Sequence, residues 1–128
     1  MTDGWATPKW LMNVFYGNAH RWFDPCPLGM RELLDANLPA YDGLKIPWHD
    51  YNYVNPPYSD PLPWCLKAVE EWKKGCTVVM LLKHDPTTEW YRVLYDAGAH
   101  FLYFGERLRY GEQAKAAFCS DLVILSHE

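Results

Sequence analysis

Apolar positions along this 128-residue chain change period several times, and each change predicts an element. Thr7-Pro8 sets a capping hydroxyl before a proline suited to a first helical turn, and Trp10, Leu11, Val14 and Phe15 follow at helical spacing until Gly17. Arg21 to Asp24 reads as a short strand cut off by Pro25 and Pro27, and Met30 to Ala36 as a short helix. Asn37 to Trp48 reads mostly as loop. Asp50 to Val54 is the next strand, ended by Pro56-Pro57. After Ser59-Asp60-Pro61 a helix sets Leu62, Cys65, Val69 and Trp72 on one face and Lys67, Glu70, Lys73 and Lys74 largely on the other, and Gly75 stops it. The run CTVVMLL, Cys76 to Leu82, is apolar throughout, the pattern of a parallel strand covered on both faces, and belongs at the centre of a sheet. Asp85-Pro86-Thr87-Thr88 opens another helix, with Trp90, Tyr91, Leu94 and Tyr95 as its buried stripe and Gly98 as its stop. Two strands close the chain, His100 to Phe104 and Asp121 to Leu125, around a Gly-bounded segment with strand-like alternation at Leu108 to Tyr110.

Strands alternating with helices predict an α/β fold: one compact, doubly wound, Rossmann-like domain with a mostly parallel sheet. The late pair of strands without a helix between them predicts one antiparallel strand near the C-terminus. The length suits one domain over residues 1–128, so a separate target-recognition domain is not expected.

Composition narrows the functions available. Apolar residues make up 49% and aromatics 16%, which excludes a disordered chain. A formal net charge of −4 excludes coating nucleic acid by charge alone, yet leaves room for a local basic strip. Arg107, Arg109 and Lys115 form the best such strip, diluted by Glu106 and Glu112. The four cysteines are widely spaced and without CxxC pairs, so neither a zinc site nor a disulfide framework is indicated. The N-terminal stretch lacks a basic-then-apolar leader, and no apolar run approaches the roughly 18 residues of a membrane span. The expectation is a soluble, cytoplasmic protein that uses no metal and no membrane.

In open α/β sheets ligands gather beyond the carboxyl ends of the strands, which singles out Asp24-Pro25-Cys26, Asn55-Pro56-Pro57-Tyr58 and Lys83-His84-Asp85. The second of these suits an adenine amine, a poor nucleophile because its lone pair is delocalised into the ring. Asn55 offers a side-chain carbonyl, and Pro56 a backbone carbonyl held extended by Pro57. Two acceptors aimed at the amine hydrogens favour the geometry in which nitrogen can attack, and the prolines set them before substrate arrives. Tyr58 offers an aromatic face for a base taken out of the stack. The plain alternatives are a stiff strand-to-helix turn here, a cap or turn at Asp24, an Asp-Gly turn at Asp42, and a solvated lysine at Lys83. Of the five scattered histidines only His84 stands at a strand end.

Taken together, WATPKWL, FDPC, YDGLKIPW, YVNPPYS, PWCLKAVEEWKKGCTVVMLL, TTEWY and FGERLRYGEQAKAAFCSDLVIL show that the chain resembles the phage-type DNA N6-adenine methyltransferases, the Dam-like family. The most specific of these is the tetrapeptide (D/N/S)-P-P-(Y/F/W). The resemblance implies a class I methyltransferase that uses S-adenosylmethionine and methylates adenine N6 in DNA. It implies that Asp24, Pro25 and Cys26 form the first donor motif, that Asp42 reads the donor's adenine, and that Thr7 and Pro8 close over it, with Asn55 beside donor and base alike. Tyr58, Ser59, Lys83, Arg107, Arg109 and Lys115 are the residues expected to face DNA. Because the same turn serves enzymes acting on RNA adenine or on glutamine amides of proteins, those acceptors are alternatives, as is a non-catalytic adenine-binding remnant of the fold. With no spare helix to enter a groove, recognition falls to short loops or to the second subunit of a homodimer.

Overall fold

In a computed structural model, which describes residues 22–26, 41–103 and 119–127, the apolar run becomes the strand that organises the sheet. The elements are β1 (Tyr51–Val54), α1 (Leu62–Lys73), β2 (Thr77–Lys83), α2 (Glu89–Asp96), β3 (His100–Tyr103) and β4 (Ser120–Leu125). The strand order is β1-β2-β4-β3. Phe23 adds a parallel bridge to Asn52 on the outer side of β1, its N–H donating to Tyr51 O and its carbonyl accepting from Tyr53 N–H, each at 2.9 Å. The helices expected at Thr7 to Gly17 and Met30 to Ala36, and the alternation at Leu108 to Tyr110, lie outside the described residues.

The expectation of a mostly parallel sheet with one antiparallel strand near the C-terminus is met in part: β4 is the one strand of the four that runs against the others. β1 pairs with β2 in parallel, but β4 pairs antiparallel with both β2 and β3, so the described sheet is mixed. The physical reason is placement: the reversed strand is inserted between β2 and β3, where it makes two antiparallel ladders instead of the one an edge position would give.

Period-two alternation assigns the faces. Val78, Met80 and Leu82 of β2, with Val54, Val123 and Leu125, pack against Cys65 and Ala68 of α1 and Leu94 of α2 to form the core. Val79 and Leu81, pointing the other way, are buried as well, as the unbroken apolar run predicts. Helix α1 starts at two prolines, Pro61 as N-cap and Pro63 within the first turn, and ends where Gly75 adopts a φ of 112°, closed to most side chains. Helix α2 is capped by Thr88, whose Oγ1 accepts from Tyr91 N–H and donates to Asp85 O. Its stripe differs from expectation at Tyr95, which is 72% exposed: Tyr91 and Leu94 fill the core-facing arc of this eight-residue helix, and Tyr95 falls on its flank. Glu71, which the helical pattern did not single out, is buried on α1 and paired with Lys67 at 2.7 Å.

Candidate functional site

Because the Phe23 segment, β1 and β2 all run in one direction, Asp24-Pro25-Cys26, Asn55 to Tyr58, and Lys83-His84 emerge from the same edge of the sheet. The end of β1 is held from below by Asn52. Its Oδ1 accepts from His49 N–H at 2.9 Å, and its Nδ2 donates to His49 O at 2.7 Å and to Thr77 O at 3.1 Å. Asn55 and Pro56 are buried, Asn55 only 3% exposed, while Pro57 and Tyr58 are half-buried and Ser59 lies open. Asp60 N–H closes back on Pro57 O at 3.3 Å. The turn thus presents a buried amide followed by a rigid backbone and a partly exposed ring.

Asp24 is a half-buried carboxylate whose Oδ1 accepts from Cys26 N–H at 2.9 Å. Burial pushes its pKa up to about 6, and the Cys26 hydrogen bond only partly offsets this. Burial, with Asp24 close by, also pushes the Cys26 thiol up to about 12, which keeps it from the thiolate form a nucleophile needs. A carboxyl whose folded pKa exceeds its unfolded value stabilises the fold below the unfolded value. That contribution, roughly 2 to 3 kcal/mol, is lost as pH rises from about 4 through about 6. Asp24→Asn is therefore expected to melt at a higher temperature than wild type at pH 7.5, with the advantage shrinking toward pH 5. A stabilisation that does not change with pH would show that Asp24 is not the group responsible.

The segment around Asp42 reaches the same place. Asp42 is exposed, its Oδ1 accepting from Leu44 N–H at 3.0 Å and its carbonyl from Lys45 N–H at 2.9 Å, so the Asp-Gly turn foreseen as the plain alternative does form. The turn also brings Gly43 against Pro25. A Cβ on Gly43 would stand 1.9 Å from Pro25 O and 3.0 Å from Cζ3 of Trp64. Trp48, buried in what the sequence marks as loop, locks the turn by donating Nε1–H to Gly43 O at 2.7 Å. Tyr41 donates its hydroxyl to Asp24 O at 2.8 Å. Asp24 and Asp42, 18 positions apart in sequence, thereby belong to one constellation beside the end of β1.

A second cluster at this edge was not foreseen as a unit. Asp121, 2% exposed at the start of β4, accepts through Oδ2 from His84 Nδ1–H at 2.6 Å and from the Tyr91 hydroxyl. The sequence signal was a charged residue opening an apolar strand, facing a histidine at the end of another. Thr7, Pro8, Arg107, Arg109 and Lys115 lie outside the described residues. A cavity of about 510 Å³, lined by Pro86, Tyr91, Arg92, Tyr95 and Phe101, accompanies α2 and β3, at the opposite end of the strand order from β1 and apart from Asn55. Among the described residues no group of three or more His, Cys, Asp or Glu could hold a metal ion, and no helix is long and apolar enough to cross a membrane.

Residues 1–121 match the family described as DNA N-6-adenine-methyltransferase (Dam). The DNA N-6-adenine-methyltransferase of Haemophilus phage HP1 (strain HP1c1) is 35% identical over 94 residues, which make up 70% of this chain and 54% of the phage protein. The chain thus spans about half the length of that curated relative. No solved structure matches. The family match takes in the Asp24 segment, the Asp42 turn, the Asn55 turn and the His84 strand end together, and on that extent the chain belongs to the DNA N-6-adenine-methyltransferase (Dam) family.

Proposed function

We propose that this chain is a Rossmann-like methyltransferase that moves the methyl group of S-adenosylmethionine to N6 of an adenine in DNA, with the base turned out of the stack into the Asn55-Pro56-Pro57-Tyr58 turn. The observation that carries this reading is the placement of that turn, with its buried asparagine, at the sheet edge shared with the half-buried carboxylate of Asp24. A carboxyl kept at raised pKa by burial favours a cationic neighbour, and the ammonium and sulfonium of the donor are cations. In this reading Asp24, whose Oδ1 accepts from Cys26 N–H, forms the wall for the methionine end, and Asp42, exposed on its turn, meets the donor's adenine.

When bound, the donor supplies a methyl group on a sulfonium, already an excellent leaving group. Asn55 Oδ1 and Pro56 O accept from the two N6 hydrogens and draw the nitrogen toward the geometry of attack. The N6 lone pair forms the new N–C bond with inversion at the methyl carbon, the C–S bond breaks to leave S-adenosylhomocysteine, and the surplus N6 proton passes to solvent. Tyr58 covers the face of the base.

Tritiated methyl transfer into DNA, RNA and protein acceptors, followed by identification of the modified nucleoside, tests this reading. Label in N6-methyladenine from DNA is expected, and label in RNA or in glutamine amides alone would replace DNA with those acceptors. Two variants probe the parts. Tyr58→Ala is expected to lose roughly 1 to 3 kcal/mol of base capture, while Tyr58→Phe keeps most of it. If the two behave alike, stacking is not what Tyr58 does. Asp24→Asn, stabilised at neutral pH, is expected to bind S-adenosylmethionine at least about tenfold more weakly, since it loses a charged hydrogen-bonding partner. Calorimetry showing unchanged donor affinity would place the methionine end elsewhere.

A further inference from the structure

The proposed chemistry makes no use of His84, yet parts of the chain distant in sequence converge to hold its ring. Its backbone N–H donates to Cys119 O at 2.7 Å. Nδ1 lies 2.6 Å from Oδ2 of Asp121 on β4, and Tyr91 of α2 donates its hydroxyl to the same oxygen. The rings of Tyr103, at the end of β3, and Tyr91 stand edge-on to the imidazole at 5.5 and 6.2 Å. Burial, together with the Asp121 carboxylate, drives the Tyr91 pKa upward and keeps its hydroxyl a donor.

Burying the Asp121 carboxylate is costly unless it is paired, and a packed apolar residue would serve the core at least as well. What the arrangement achieves is orientation. With Nδ1 turned to Asp121, Nε2 is the ring nitrogen left for an outside group, on a side chain that is 42% exposed. It lies at the sheet edge from which Asn55 emerges, next to Lys83. A chain of net charge −4 that holds a polyanion has to place its cations where the polyanion lies. Lys67 on α1 and Lys74 just beyond its end are engaged by Glu71 and Glu70.

We propose that His84, as the imidazolium, is a DNA-backbone contact, its Nε2–H donating to a phosphate oxygen flanking the flipped adenine while Nδ1–H stays on Asp121, with Asp121 and Tyr91 as positioning residues that set the ring before DNA arrives. The contact carries no sequence information; it fixes the register of the duplex over the Asn55 turn. It rests on the reading of this chain as a DNA methyltransferase.

The test is fluorescence anisotropy with an end-labelled adenine-containing duplex, titrated at several salt concentrations, for wild type, His84→Ala, His84→Lys and Asp121→Asn. His84→Ala is expected to bind about tenfold more weakly, with a log affinity against log salt slope shallower by about one, the mark of one lost phosphate contact. His84→Lys restores a donor cation and is expected to recover most of the affinity and the slope. Asp121→Asn leaves the ring in place but loosely aimed, and falls between. Calorimetry with S-adenosylmethionine should give the same donor affinity for wild type and His84→Ala, which a general loss of structure would not. Wild type that binds DNA alongside a His84→Ala variant of equal affinity and slope overturns the assignment of His84 and leaves the DNA reading standing. Wild type with no salt-dependent affinity for DNA removes both.

Discussion

Asn55→Ala will lower methyl transfer at least about a hundredfold while leaving S-adenosylmethionine affinity and the melting temperature close to wild type, by analogy with the loss of one preorganised polar contact. The expectation follows from how the side chain is held. Asn55 continues β1 directly, and β1 is fixed on one side by the parallel ladder to β2 and on the other by the Phe23 bridge. Asn52 ties the base of the strand to the His49 loop and to Thr77, so the position of Asn55 is set before any substrate enters. Pro56 and Pro57 then deny the following backbone the freedom to carry the amide away. An acceptor fixed in advance spends nothing on reorganisation at the moment of reaction, which is why its loss shows in turnover more than in binding. Asn55→Asp keeps an acceptor oxygen at the same place and is expected to retain more activity than alanine. Near-normal turnover of Asn55→Ala under saturating donor and DNA would remove this residue from the chemistry.

The parts of this site that local pattern reveals are those built from consecutive residues. The strand ends at Asp24, Asn55 and Lys83 were legible because apolar runs stop there and prolines or charges take over, and these ends do meet at one edge of the sheet. The helix after Pro61 and the cap at Thr88 were legible for the same reason. What escaped was decided across the chain. Asp121, His84 and Tyr91 come together only because β4 is inserted beside β2, and no period in the Asp121 to Leu125 segment says which strand it will join. Asn52 looked like one more strand residue, although its amide is what fixes the loop before β1. Tyr95 carried the right spacing for the core and lies on the flank of a helix too short to bury both sides. Asp42 read as an ordinary turn, which it is; its link to the Asp24 segment comes from Gly43, through a contact 18 positions away with Pro25.

That contact supports the other large expected effect. Gly43→Ala would place a methyl group 1.9 Å from Pro25 O and 2.8 Å from Pro25 C, with Trp64 closing a third side at 3.0 Å. The carbonyl belongs to backbone and cannot rotate aside like a side chain, so either the Asp42 turn or the Asp24 segment must move. Overpacking of this kind typically costs about 1 to 3 kcal/mol, and the displacement falls on the two segments proposed to hold the donor. Gly43→Ala is therefore expected to melt several degrees lower and to bind S-adenosylmethionine more than about tenfold more weakly, since misplacement of about 1 Å is enough to spoil a preorganised site. Gly75→Ala is the matched control. Gly75, at φ 112° beyond the end of α1, has open space around it, so alanine there costs conformational strain of about 1 to 3 kcal/mol without touching the donor segments. Both variants should lose stability, and only Gly43→Ala should lose the donor. Equal donor affinity in the two, measured by calorimetry below their melting temperatures, would mean that the packing of Gly43 on Pro25 shapes the fold and not the methyl-donor pocket.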